Sequence, residues 1–244
     1  MTLAPARGFV LWRRERGEAD LVLELLLDDG SFHRAIAPSG VRSSRRYAGG
    51  LSAFTLYRFT FGRARGAGFV RIDEAVVERA WPALLTDLRR TAAAGVVCAI
   101  ARDLVRDGAV DEALFARVAS AMEALSNADI VTAGGVLVWF GMASMARSGE
   151  GIVLDTCVRC GRSAPDGASV QLSPRAGGVV CAACGGGVTT LRAAERRAWR
   201  RVAGGDVSAF DPAMLQWLLG MLEERLPRAS EVLRGAVGYW EPRT

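Results

Sequence analysis

The chain has 244 residues, half of them apolar, and its 31 basic and 26 acidic side chains give a net charge of +5. This length can bury a real core and is typical of one to three small domains. Every basic residue is arginine, which excludes the lysine of a P-loop, a Schiff-base enzyme or a nucleotidyl-transferring ligase. The single histidine, His33, excludes a histidine-rich metal centre.

The first third of the chain has the pattern of β structure. Five segments show period-two alternation or a continuous apolar run, and Asp29-Gly30 gives a tight hairpin turn between two of them. The predicted strands are residues 8–13, 19–28, 31–37, 51–61 and 68–77. Five strands with one longer link favour a closed Greek-key barrel of the OB type, and an SH3-like barrel is the competing shape.

Positive charge is concentrated in these strands. Between Ser31 and Ile72 there are eight arginines, interleaved with seven aromatic residues, and no acidic residue. Positive charge with rings for stacking is what single-stranded nucleic acid requires. The alternative for the rings is that most of them fill the barrel core, and the alternation in strand 51–61 favours this alternative. For the arginine run, nucleic-acid binding is the favoured interpretation. The predicted contacts are Arg34, Arg42, Arg45, Arg46, Arg58, Arg63 and Arg65.

From Trp81 onward the apolar spacing is helical. Helices are predicted over residues 85–104, 111–125, 130–146, 190–202, 211–222 and 228–236. The uncharged run 130–146 is shorter than a spanning helix needs and contains several glycines, so a buried helix is expected. With no recognisable targeting segment, the expected location is the cytoplasm.

Two C-x-x-C pairs, separated by twenty residues, dominate the region 153–187. Four thiolates, each pair followed by a glycine, can close a tetrahedron around one structural Zn²⁺. The four predicted ligands are Cys157, Cys160, Cys181 and Cys184. Two disulfides or four unrelated core cysteines are the alternative.

Several motifs resemble the bacterial RecO family of recombination mediators. They are the segment 17–21 that enters the second strand, the arginine-rich link 40–46, the passage 172–181 and the two cysteine pairs, in that order. The resemblance implies an OB fold that binds single- and double-stranded DNA, strand annealing, and cooperation with RecR in loading RecA. It also implies contact with the acidic tail of single-strand-binding protein and a place at the nucleoid. Arg34 and the link arginines stand where the family has its DNA-binding charge.

The expected fold class is α+β, with an N-terminal five-stranded OB barrel followed by a helical domain into which a four-cysteine zinc module is inserted. The predicted boundaries are 1–79 for the barrel, 80–152 and 188–244 for the helical domain, and 153–187 for the module. Arg192, Arg196 and Arg200 of the basic helix are candidate contacts for an acidic tail.

Two other functions remain open from the residues alone. One is an adaptor that contains zinc and recognises acidic peptides only. The other is a metal-dependent nuclease, for which Asp28-Asp29 and Asp73-Glu74 are the candidate carboxylates. We expect that this protein is not an enzyme.

Overall fold

The computed structural model describes residues 3–63, 68–106, 110–129 and 132–240. Arg65, one of the predicted nucleic-acid contacts, lies outside these ranges. The chain divides into two compact units. The first comprises Met1–Asp87 and Cys98–Ser126, and the second comprises Leu88–Val97 and Asn127–Thr244.

Five strands of the first unit close into a barrel with the neighbour order β1-β2-β3-β5-β4, in which β4 pairs back to β1. They are β1 (Ala6–Arg16), β2 (Asp20–Leu27), β3 (Phe32–Ala37), β4 (Thr55–Gly62) and β5 (Val70–Ala80). Neighbouring strands are antiparallel except β3 and β5, which are parallel. This closed five-stranded barrel is the predicted OB fold, and the α+β fold class is confirmed.

Alternating side chains from all five strands fill the barrel. Four of the seven aromatic residues in the arginine-rich stretch belong to this core, namely Tyr47, Tyr57, Phe59 and Phe61. The buried Tyr47 hydroxyl donates a hydrogen bond to the Ile72 carbonyl (3.0 Å). The interpretation that most of these rings build the core is therefore correct.

Strand β2 is buried on both faces, although period-two alternation is typical of a half-buried strand. Every residue from Leu21 to Leu27 is buried, including Glu24 on the outward face. The Glu24 carboxylate forms an ion pair with Arg102 of the following helix, which neutralises the buried charge. The alternation of apolar residues correctly identified the face of β2 that points into the barrel. It could not show that a helix covers the opposite face.

Six helices follow the barrel strands in the described part of the chain. They are α1 (Leu88–Arg106), α2 (Glu112–Asn127), α3 (Thr132–Arg147), α4 (Ala193–Ala203), α5 (Ala213–Arg225) and α6 (Pro227–Ala236). The predicted helix 190–202 starts later, at Ala193, because residues 189–191 form strand β8.

Helix α3 is the uncharged run predicted to be buried. Its first turn is capped by Asp129, whose carboxylate accepts a hydrogen bond from the Thr132 amide (2.7 Å). A side chain added at Gly134 would lie 2.5 Å from the Phe210 ring, so the glycine permits close packing. Within the described residues, no helix combines the length and apolar character needed to span a membrane.

A small three-stranded sheet in the second unit has the order β7-β6-β8. Its strands are β6 (Val170–Ser173), β7 (Gly178–Val179) and β8 (Thr189–Leu191). Strand β7 leads directly to the second cysteine pair. The sheet thus positions that pair relative to the helices of the same unit.

Candidate metal centre and nucleic-acid interface

The first cysteine pair lies in a tight backbone turn. The Cys157 amide donates to the Arg162 carbonyl (2.8 Å), and the Gly161 amide donates to the Cys157 carbonyl (2.8 Å). Gly161 has a φ of +71°, a conformation that glycine adopts without strain. The glycine after the pair therefore has the role expected of it: it folds the backbone around the sulfur atoms.

The second pair lies in a single 3₁₀ turn over Ala182–Cys184. The amides of Cys184 and Gly186 both donate to the Cys181 carbonyl, at 2.9 and 3.1 Å. Gly185 follows with a φ of +99°. Both pairs thus present their side chains from compact turns, which is how closed thiolate sites are usually built.

The four predicted ligands come together in space. Their Sγ atoms all lie within 4.8 Å of one another, and Cys160 Sγ and Cys181 Sγ are 3.8 Å apart. A tetrahedral site with metal–sulfur bonds of about 2.3 Å has sulfur–sulfur edges of about 3.8 Å. All five cysteines of the chain are free, so the disulfide alternative is wrong. The cluster could therefore bind a metal ion.

The local environment favours a thiolate at Cys157 but not at Cys184. Hydrogen bonding from the Cys181 amide (3.4 Å) and then from the Arg159 amide lowers the pKa of Cys157 to about 6. Hydrogen bonds to the Cys160 and Cys181 sulfurs raise the pKa of Cys184 to about 12. One thiolate forms readily, whereas four at this spacing repel one another unless a cation lies between them.

Helix α4 fastens the segment around the first pair. The Arg196 guanidinium is buried and donates to the carbonyl oxygens of Ala164 and Pro165, each at 2.8 Å. Arg200 forms ion pairs with Asp155 and, at 2.9 Å, with Asp166. These contacts join the cysteine module to α4 within the second unit.

The three candidate tail-binding arginines therefore have partners inside the chain. Arg192 donates through Nε to Glu195 Oε1 (2.9 Å), while Arg196 and Arg200 hold the module. The buried Arg196 guanidinium faces away from solvent. Sequence reasoning missed this role because the bonded groups lie about thirty residues earlier in the chain.

The predicted nucleic-acid contacts in the barrel are mostly exposed. Arg34, Arg42, Arg45 and Arg63 lie at the surface. Arg46 is half-buried, since its guanidinium donates to the Pro38 carbonyl (2.8 Å) and the Ser43 hydroxyl (3.2 Å). In the described part of the chain, neither Arg42 nor Arg45 has an acidic partner, so both guanidinium groups are available to a ligand.

One predicted contact lies beside an acid despite the acid-free stretch around it. Arg58 on β4 is 64% exposed but lies 3.5 Å from Glu78 on β5. Arg7 on β1 forms an ion pair with the same carboxylate at 2.7 Å. Pairing of neighbouring strands brings this acid in from outside the stretch, which makes Arg58 a weaker candidate than Arg42.

Sequence reasoning missed three basic residues, Arg13, Arg14 and Arg16, at the end of β1. The hairpin from β1 to β2 contacts the arginine-rich link, since the Val41 amide donates to the Ala19 carbonyl (3.0 Å). Arg13 Nη1 also donates to the carbonyl of Gly50, four residues beyond the link (2.7 Å). Acidic residues at positions 15, 18 and 20 lower the net charge of this segment, so the segment does not stand out as basic in the sequence. The run from Trp12 to Arg16 was the signal that could have revealed it.

The fold and the two sites define a class of protein. Its members have an OB barrel with a basic surface, followed by a helical region into which a four-cysteine module is inserted. The chain belongs to the RecO family. The family description Recombination protein O N terminal matches residues 1–80, and Recombination protein O C terminal matches residues 85–229. The resemblance noted from the motifs is thereby confirmed.

Relatives named DNA repair protein RecO occur in several organisms. The one from Anaeromyxobacter dehalogenans is 33% identical over 188 residues, which cover 77% of this chain and 73% of the relative. The one from Myxococcus xanthus is 32% identical over 179 residues, covering 73% and 71%. The one from Bifidobacterium adolescentis is 31% identical over 188 residues, covering 75% and 74%. Membership of this family supports a role in DNA repair.

Proposed function

We propose that this chain is a non-enzymatic DNA-binding mediator of recombination in DNA repair. It anneals complementary strands and helps RecR to load RecA onto DNA coated by single-strand-binding protein. The observation that carries the proposal is the exposed arginine set on an OB barrel, in a chain of the RecO family. Both single- and double-stranded DNA are expected ligands.

The DNA contact is electrostatic in the first instance. Arg34, Arg42, Arg45 and Arg63 are exposed, and the planar guanidinium can bind a phosphate through two hydrogen bonds. Arginines that neutralise phosphates on two strands lower the repulsion that keeps complementary strands apart. No covalent step is needed for annealing, so the function requires a surface rather than an active site.

The metal is proposed to be one structural Zn²⁺ per chain, bound by Cys157, Cys160, Cys181 and Cys184. Four sulfur donors with nearly tetrahedral spacing suit zinc, and they leave no open position for a water or a substrate. The Cys157 sulfur is also stabilised by an amide hydrogen bond, as expected for an outer shell that orients a ligand. Zinc would thus hold the module in place, and its role would be structural.

The acidic tail of single-strand-binding protein is proposed to bind the helical part, near α4. Arg192, Arg196 and Arg200 were the first candidates. Because Arg196 is buried and Arg200 is paired with Asp166, the exposed Arg197 is the most accessible cation for such a tail, followed by Arg192, which is exposed but paired with Glu195. An acidic peptide needs a cationic rim of this kind.

Fluorescence anisotropy with a labelled oligonucleotide and, separately, a labelled acidic tail peptide tests the proposal. We expect binding to both. Binding to the peptide but not to the oligonucleotide would indicate the adaptor function instead. Cleavage of the oligonucleotide with magnesium would indicate a nuclease; among the described residues, the four cysteines are the only group of three or more potential metal ligands.

A further inference from the structure

The four clustered cysteines differ in their exposure to solvent. Cys157 is buried, Cys181 and Cys184 are partly buried, and Cys160 is exposed. All four belong to the second compact unit, and all are free thiols in the structure. An oxidant that approaches the cluster from solvent therefore meets Cys160 first. Such exposure is typical of cysteines that respond to oxidants.

Two arginines lie near Cys160 in the chain. Arg159 and Arg162 are both exposed. The Arg159 guanidinium donates to the Cys184 carbonyl (2.5 Å), which places a positive charge beside the second cysteine turn. Reactive cysteines typically lie in electropositive, solvent-accessible surroundings of this kind, whereas a cysteine in an apolar core, such as Cys98, is inert.

A second sulfur atom lies close enough to Cys160 to react with it. The sulfur atoms of Cys160 and Cys181 are 3.8 Å apart, so they must approach by less than about 2 Å to reach the disulfide bond length of about 2.05 Å. Cys181 belongs to the other C-x-x-C pair and lies 21 residues later in the chain. A bond between these two sulfurs would therefore keep the two cysteine turns joined.

We propose that Cys160 is a site of reversible oxidation by peroxides, with Cys181 as the resolving thiol, and that the reaction exchanges the bound zinc for a disulfide. The inference rests on the proposed zinc site, because it concerns the sulfur atoms that would bind the ion. It adds to the structural role of the metal, since zinc binding then depends on the redox state of the surroundings. An exposed cysteine next to a resolving cysteine is the usual arrangement of a redox sensor.

The reaction needs only the peroxide and two protons from solvent. The Cys160 sulfur attacks one oxygen of hydrogen peroxide, the O–O bond breaks, the other oxygen leaves as water, and a sulfenic acid forms. The Cys181 sulfur then attacks the Cys160 sulfur, the S–O bond breaks, and a second water leaves. The two sulfurs thereby lose two electrons, which reduce the peroxide. Cys157 and Cys184 alone remain as thiolates, and because two sulfurs hold zinc more weakly than four, the ion is released.

The test treats the zinc-loaded full chain with excess hydrogen peroxide. Zinc release is followed with a chromogenic chelator, free thiols are titrated after denaturation, and the disulfide is located by peptide mass spectrometry. We expect the loss of one zinc ion per chain, a fall of two among the five titratable thiols, and a cross-link between Cys160 and Cys181. A reductant with added zinc should restore the starting protein. Cys98→Ala, which removes the buried cysteine outside the cluster, is the control and should lose zinc at the wild-type rate.

Three results would overturn the inference alone. They are zinc that stays bound in excess peroxide, a disulfide between any other two cysteines, and oxidation of Cys160 to a sulfinic acid without a cross-link. A reduced chain that binds no zinc at all would instead refute the proposed metal site, and the inference with it. Because all of these measurements are made on the wild type, none depends on whether a variant of a metal ligand folds.

Discussion

Replacing the buried Arg196 should destabilise the helical unit and the cysteine module together. Its guanidinium is 1% exposed and donates two hydrogen bonds of 2.8 Å to the carbonyls of Ala164 and Pro165. Its ion pairs contribute little, because the side chains of Asp155 and Asp166 are 65% and 86% exposed. Two charge-assisted hydrogen bonds at about 1.5–3 kcal/mol each give an expected loss of about 3–6 kcal/mol for Arg196→Ala.

Urea unfolding followed by circular dichroism measures this loss in the metal-loaded protein. Arg196→Lys keeps the charge but not the planar fork, so we expect an intermediate value. Arg201→Ala, which removes an exposed pair with Asp206 (2.6 Å), is the matched control and should cost less than about 1 kcal/mol. If Arg196→Ala were as stable as Arg201→Ala, the inference that α4 holds the cysteine module through Arg196 would be wrong.

Two further predictions concern the metal and pH. Chelation should release one zinc ion per chain and lower the thermal unfolding temperature, and a chain that stays fully folded after losing its metal would contradict the structural role of the cluster. Burial lowers the pKa of His33 below its ordinary value near 6.5, with Asp29 opposing the shift, so its contribution to stability should be present above that pH and lost as the pH falls. His33→Gln should flatten this part of a stability–pH profile measured in urea, and an unaltered profile would assign the pH dependence to other groups.

Local patterns predicted the barrel and the cysteine cluster well. Alternation and the Asp29-Gly30 turn depend on neighbours along the chain, and so does the folding of a C-x-x-C pair around its following glycine. Each of these features can therefore be recognised from the sequence alone. The predicted start of α4, at residue 190, was less accurate, since the helix begins at Ala193. Residues 189–191 instead join a small sheet whose partner strand lies about twenty residues earlier.

The details of the surface depended on long-range pairing that composition cannot report. Glu78 comes beside Arg58 only because β4 and β5 are neighbours. Trp12 faces outward only because β1 has an extra residue relative to β2. Arg196 looked like a surface cation on a basic helix, yet distant carbonyl groups satisfy it. Charge counted along the chain therefore located the basic domain better than it located the individual contacts.

The salt dependence of single-strand binding tests the central claim most directly. If about four to six phosphates are neutralised, the log–log slope for the wild type should be roughly −3 to −4. The double variant Arg42→Ala/Arg45→Ala should reduce its magnitude by about 1.4, whereas Arg201→Ala/Arg234→Ala, which removes the same charge from the helical unit, should leave it unchanged. A flat wild-type response, or equal slopes in both double variants, would contradict DNA binding through the arginines of the barrel.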